Sequence, residues 1–175
     1  MNSCKKISDS EYLDLLVKIN NKTNETLNLI VSCLAAEKTK QNTIFNNISN
    51  LIQNKTKDIH KNARKIYDLR YIPVKWNFKA KNKVRNILEA SKELKACALT
   101  LKNANKRSDI KKDFNINVLK DMSIQILIIY HNVKDLAKHL YFKQNTFMKY
   151  KDISSVTAIL INSNDINTQV MKMLL

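Results

Sequence analysis

Eleven lysines and arginines stand between Lys55 and Arg85 against two acids, Asp58 and Asp68, with Tyr67, Tyr71, Trp76 and Phe78 interleaved among them. Flexible cations neutralise phosphates and release the counterions held there, and rings beside them stack on unpaired bases for about 1–3 kcal/mol each. The expected phosphate-contacting set is Lys55, Lys57, Lys61, Arg64, Lys65, Arg70, Lys75, Lys79, Lys81, Lys83 and Arg85, with Trp76 as a stacking surface and Lys102–Lys112 in support. Lysine outnumbers arginine, which favours point-charge contact over bidentate reading of bases. The pattern therefore predicts nucleic acid held by its backbone with low sequence specificity. An acidic protein offers the same charge, and so does an anionic lipid surface, although the apolar stripe Ile59, Ala63, Ile66 and Tyr67 is narrow for a membrane-lying helix. A merely solvated basic face needs no partner at all.

Other reactive groups are poorly placed for catalysis. His131, Asp135 and His139 fall at i, i+4 and i+8 on one side of a helix, which lets a metal bridge neighbours, but no fourth ligand or general base accompanies them. A solvent-facing polar row is the expectation. Cys33 sits among Leu29, Ile30 and Leu34, and Cys97 between Ala96 and Ala98, so both read as small core residues. Glu89 and Glu93 alternate with Lys92 and Lys95 and suit surface ion pairs. Glycine is absent from the chain, which excludes a Walker phosphate loop, a dinucleotide-binding turn and a nucleophile elbow. No catalytic residue, metal or cofactor is predicted.

The formal charge is +16, and it is unevenly distributed: residues 51–112 carry 18 basic and 5 acidic side chains, a net of +13. Lys, Asn and Ile number 27, 23 and 20, a codon signature of an A/T-rich genome such as that of a large DNA virus or a mobile element. Codon bias acts on a whole gene and does not confine cations to its middle. Cys4, Cys33 and Cys97 form no CxxC pair, which suits reduced thiols inside a cell. The N-terminal residues lack the apolar core of a signal peptide, and no apolar run nears the ~20 residues of a membrane span. Four N-x-S/T sequons, beginning at Asn21, Asn24, Asn47 and Asn54, are by-products of asparagine richness.

Positioning these groups requires helices. Without Asn-Gly turns a hairpin-rich β fold lacks its commonest connectors, whereas helices need neither glycine nor the single proline, Pro73. Ser8-Asp-Ser-Glu11 is a capping box ahead of an imperfect heptad row, Leu16, Thr23, Ile30, Glu37, Ile44 and Leu51, with polar Asn20, Gln41 and Lys55 mixed in. Residues 1–71 thus form a coiled-coil-like rod, or a hairpin broken in Lys38–Thr43. Leu27, Ile30, Leu34, Ile44, Ile48 and Leu51 are the expected self-association surface, whose avidity would multiply weak contacts. Residues 72–79 read as a proline-containing connector and residues 80–175 as a compact helical bundle. In that bundle Leu119, Met122, Ile126, Ile129, Val133, Leu136 and Leu140 mark a central helix. Lys102–Lys112 and Lys143–Lys151 read as loops, with Asp152 or Ser154 capping a last helix.

The sum is an all-α chain of four or five amphipathic helices. Its expected role is that of a non-enzymatic nucleic-acid-binding accessory protein of viral or mobile-element type. The alternative is a helical scaffold, such as a virion component or adaptor, that docks on an acidic protein.

Overall fold

The fold is all-α. A computed structural model describes residues 9–68, 78–104, 113–143 and 150–174, and these form five helices. They are α1 (Asp9–Lys38), α2 (Asn42–Asp68), α3 (Phe78–Ala104), α4 (Phe114–Lys143) and α5 (Tyr150–Leu174). Helices of 25 to 30 residues run about 37–45 Å at 1.5 Å per residue.

The first break falls inside the polar stretch. Lys40 takes a left-handed backbone, φ 55°, the conformation that ends many helices and that glycine adopts most easily. The Lys40 amide donates to Glu37 O at 3.2 Å and the Gln41 amide to Ala36 O at 2.9 Å, so the last carbonyls of α1 are satisfied as in a Schellman cap. Gln41 O then accepts from the Phe45 amide and opens α2. In a chain without glycine a lysine bears the steric cost, about 1–2 kcal/mol. Residues 9–68 are therefore a hairpin and not a rod.

Consecutive helices pack side by side, and α4 closes back on α1, while α1 with α3 and α2 with α4 make no backbone contact. That is the square of an up-and-down four-helix bundle, and α5 lies outside it against α1 and α4. The antiparallel sense is legible in single contacts. Lys83 meets Asp135 and Asn86 meets Asn132, so α4 steps back by as much as α3 advances. Tyr130, on α4, donates its buried hydroxyl to Ile159 O and pins α5 in place.

One apolar core draws on all five helices, including Leu16, Leu27 and Ile30 of α1, Ile52 and Ile59 of α2, Leu94 and Leu101 of α3, Met122, Ile126 and Ile129 of α4, and Val170 of α5. Burying each such side chain contributes about 1.5–3 kcal/mol before the entropy of ordering it is deducted. Residues 9–68 do not form a separate unit, because α1 is a wall of the same core. Among the polar residues of α1, Thr23 and Thr26 are buried and donate to Ile19 O and Lys22 O, one turn back, whereas the buried Asn20 Oδ1 has no hydrogen-bond partner among the described residues.

The same packing relocates the expected self-association surface. Leu27, Ile30 and Leu34 are buried against the chain's own helices, where they cannot zip to a second copy in this fold. Ile48 is half-buried, and Ile44 and Leu51 stay 47% and 50% exposed. Two boundaries also move. α3 runs on through Lys102 to Ala104, and α5 starts at Tyr150, so Asp152 and Ser154 lie inside the helix rather than at its cap. Ser8, the connector 69–77 and residues 105–112 lie outside the described residues. No described helix is long and apolar enough to cross a membrane.

Candidate nucleic-acid interface

α2 occupies a corner of the square and turns one flank to α1, one to α3 and the rest to solvent. Its buried stripe Phe45, Ser49, Ile52, Thr56, Ile59, Ala63 and Ile66 keeps the 3-4 spacing of a helix that hides one face. At 100° per residue, Lys57, Lys61 and Arg64 fall together on the outer flank nearer α3, whereas Lys65 lies farther round. All four are exposed.

α3 is divided by charge along its length. Lys81, Arg85, Lys92 and Lys95 share a row with buried Leu88, on the side that meets α2. Glu89 falls beside that row on the outer face and Glu93 farther round, and Glu93 together with Asp121 of α4 holds the Cys97 thiol up, to about 11, after the larger effect of burial. Glu93 therefore lies toward α4, as does Lys83 with its partner Asp135, whereas Lys92 and Lys95 lie toward α2. The ion pairs expected of Glu89 and Glu93 are not made among the described residues.

Between the two rows runs a groove of about 470 Å³ lined by Gln53, Lys57 and His60 of α2 and by Lys92, Lys95, Ala96 and Leu99 of α3. No carboxylate is among those lining residues. Leu99 lies 49% exposed on its floor, and Tyr67, three positions beyond Arg64, presents a 48% exposed ring farther along α2. Arg64 also approaches Asp68, at 3.9 Å, one turn on, in an exposed pair of the kind that contributes about 0–1 kcal/mol.

His60 reports the field in this groove. Its pKa is held below the ordinary histidine value, first by desolvation and then by Lys95, Arg64 and Lys92, in that order. Cations from both helices therefore reach one ring. The Ser91 hydroxyl donates to Leu88 O at 2.7 Å, leaving its oxygen to accept from His60 Nδ1 at 3.1 Å. The neutral ring then carries its hydrogen on Nδ1, and protonation adds one at Nε2. Because the folded pKa is depressed, the unfolded chain binds this proton more readily, and the stability His60 contributes is present above about pH 6.5 and lost as pH falls through the folded pKa.

The remaining predicted residues separate into two groups. Lys55 and Lys83 are not free for phosphate: Lys55 Nζ donates to Glu25 of α1 at 2.6 Å and Lys83 Nζ to Asp135 of α4 at 2.7 Å. The hydrogen bond to Glu25 raises the Lys55 pKa, and the same bond lowers that of Glu25. These two lysines link neighbouring helices and lie away from the groove. The side chains of Arg70, Lys75, Trp76 and Lys79 lie outside the described residues, as do Lys106, Arg107, Lys111 and Lys112.

Asp135, engaged by Lys83, leaves the His131–His139 row without its central carboxylate, and no group of three metal-binding side chains occurs among the described residues. Cys33 is buried, with its thiol pushed up to about 12 by desolvation and then by Glu37, far from the thiolate that a nucleophile needs.

Sequence reasoning missed His60 and assigned Lys92 and Lys95 to ion pairs. The signal was present in the 3-4 spacing of Leu88, Lys92, Lys95 and Leu99, which places the two lysines in one row with apolar positions. No protein-family model matches the chain, and neither a curated protein nor a solved structure shows similarity to it.

Proposed function

We propose that the chain is a non-enzymatic accessory protein that binds nucleic acid through the α2–α3 groove, holding the phosphate backbone with Lys57, Arg64, Lys92 and Lys95. The observation that carries this reading is the convergence of cations from two helices on one groove that no carboxylate lines. Lys61 and Lys65 on α2 and Lys81 and Arg85 on α3 extend the positive flanks beyond it. A solvated basic face gains nothing from such focusing, which brings like charges together and opposes folding. Phosphate neutralises the cluster, and Leu99 and Tyr67 offer apolar surface to a sugar or an unpaired base. Lysine again dominates the contact set, so sequence matters little to the affinity.

The test is anisotropy of a fluorescent oligonucleotide. Four phosphate contacts predict an affinity that falls roughly 50-fold (single strand) to 150-fold (duplex) between 50 and 200 mM salt, with scrambled sequences bound equally well. Flat anisotropy at micromolar protein and low salt rules the reading out. In that event, retention by an immobilised acidic polypeptide would favour the scaffold alternative.

A further inference from the structure

On the other side of the bundle, where α5 lies across α1 and α4, the ends of three helices enclose a second pocket, of about 540 Å³. Its walls are of two kinds. Leu34, Ile116 and Met173 form an apolar interior with Val31 at its exposed rim, and Lys38, Lys120 and Lys172 line it from three different helices. No carboxylate is among the lining residues. The volume lies within the range of about 300–1,000 Å³ common to small-molecule sites.

Helix dipoles explain part of this charge. Lys38 and Lys172 lie in the last turns of α1 and α5, where cations offset about half a negative charge per helix end. Glu37, which accepts from Asn115 Nδ2 at 3.4 Å, lies at the same end of the bundle. Those terms offset two full charges at most. Lys120 belongs to the second turn of α4, whose own positive end is nearby, so a surplus of positive charge remains beside apolar walls. Gln169, a further lining residue, has a buried Oε1 with no hydrogen-bond partner among the described residues.

We infer that this pocket binds a single-chain amphiphile with an anionic head. The apolar chain lies against Val31, Ile116 and Met173, and the head pairs with Lys120, Lys172 and Lys38. The site shares no residue with the α2–α3 groove and does not depend on nucleic-acid binding.

Calorimetry at concentrations below micelle formation tests the assignment with three probes: laurate, 1-lauroyl-glycerol-3-phosphate and dodecanol. Both anions should bind at least tenfold more tightly than the alcohol, and tighter binding of the lysophosphatidate would identify a hydroxylated phosphate head as the better match. Lys120→Met with Lys172→Met should remove the preference for anions. Val31→Trp, at an exposed rim position, should block every probe while circular dichroism and oligonucleotide binding stay unchanged. If Val31→Trp fails to fold, the lysine variant alone decides. Absence of laurate binding, equal binding of laurate and dodecanol, or full laurate affinity in the lysine variant would each overturn the proposal.

Discussion

Replacing Lys57, Arg64, Lys92 and Lys95 together by glutamate should abolish oligonucleotide binding and leave the helical circular dichroism unchanged. Three of the four cations depress the His60 pKa and three line the groove, so reversal turns a positive channel into a negative one. Each position is exposed, and surface substitutions of this kind change stability by about 0.5 kcal/mol or less. The loss in affinity should exceed a hundredfold, because four attractive phosphate contacts become repulsive at once. Reversal of Lys55 and Lys83 is the control, set against reversal of Lys92 and Lys95 alone, which changes the net charge by the same amount. Those lysines are engaged by Glu25 and Asp135, so this variant should bind within about threefold of wild type, with a small loss of stability from two disrupted exposed pairs. Equal losses from the two double reversals would mean that net charge alone governs binding and that the groove has no special part in it.

The second large effect concerns Ile30. Its side chain is fully buried, and Ile30→Ala should cost about 2–5 kcal/mol in chemical denaturation from lost burial and the cavity left behind. Ile30→Asp adds the desolvation of a charge, which brings the total near the 5–15 kcal/mol that holds a domain together, so this variant should not fold. Leu51→Lys, half-exposed on α2, should fold normally. The contrast separates two roles for the early apolar residues. If Ile30 served an intermolecular coiled coil, Ile30→Asp would give a folded, dissociated monomer in sedimentation. The bundle predicts unfolded chain instead. Any association of the folded protein should respond to Ile44 and Leu51, which remain exposed, and not to Leu27, Ile30 or Leu34.

These cases also show which parts of the architecture local pattern can reveal. Apolar spacing at three and four residues identifies α4 and the helical class, since periodicity is a property of one segment and glycine's absence leaves few turn chemistries. A heptad row, by contrast, says that a face is buried without saying against what. Leu27 and Ile30 carry the same signal whether the neighbour is another molecule or the chain's own helices, and only the tertiary arrangement decides. The break at Lys40 was legible as a polar stretch but not as a turn, because the residue that takes the left-handed backbone is a lysine and gives no local sign of it.

For the candidate site, the concentration of cations in residues 51–112 was visible from charge alone. Which of them converge was not, because Lys55 and Lys83 differ from Lys57 and Arg85 only in the helix flank they occupy. Lys92 and Lys95 sit among acids in the sequence, yet both line the groove against α2 while Glu93 lies toward α4. His60 had no sequence signal, since its significance lies in cations contributed by a helix about thirty positions away.

His60 therefore supplies the most direct measurement of the central claim. Its imidazole can be titrated by NMR in the free protein and again with saturating oligonucleotide. The free ring should titrate below ordinary histidine, because burial and the cations of Lys95, Arg64 and Lys92 oppose its charge. Phosphate in the groove would offset those cations and accept from the protonated Nε2, so the bound-state titration should move upward, and affinity should rise as pH falls from 7.5 toward 5.5. A His60 titration that saturating oligonucleotide leaves unmoved would contradict the account, because nucleic acid would then be bound elsewhere on the molecule.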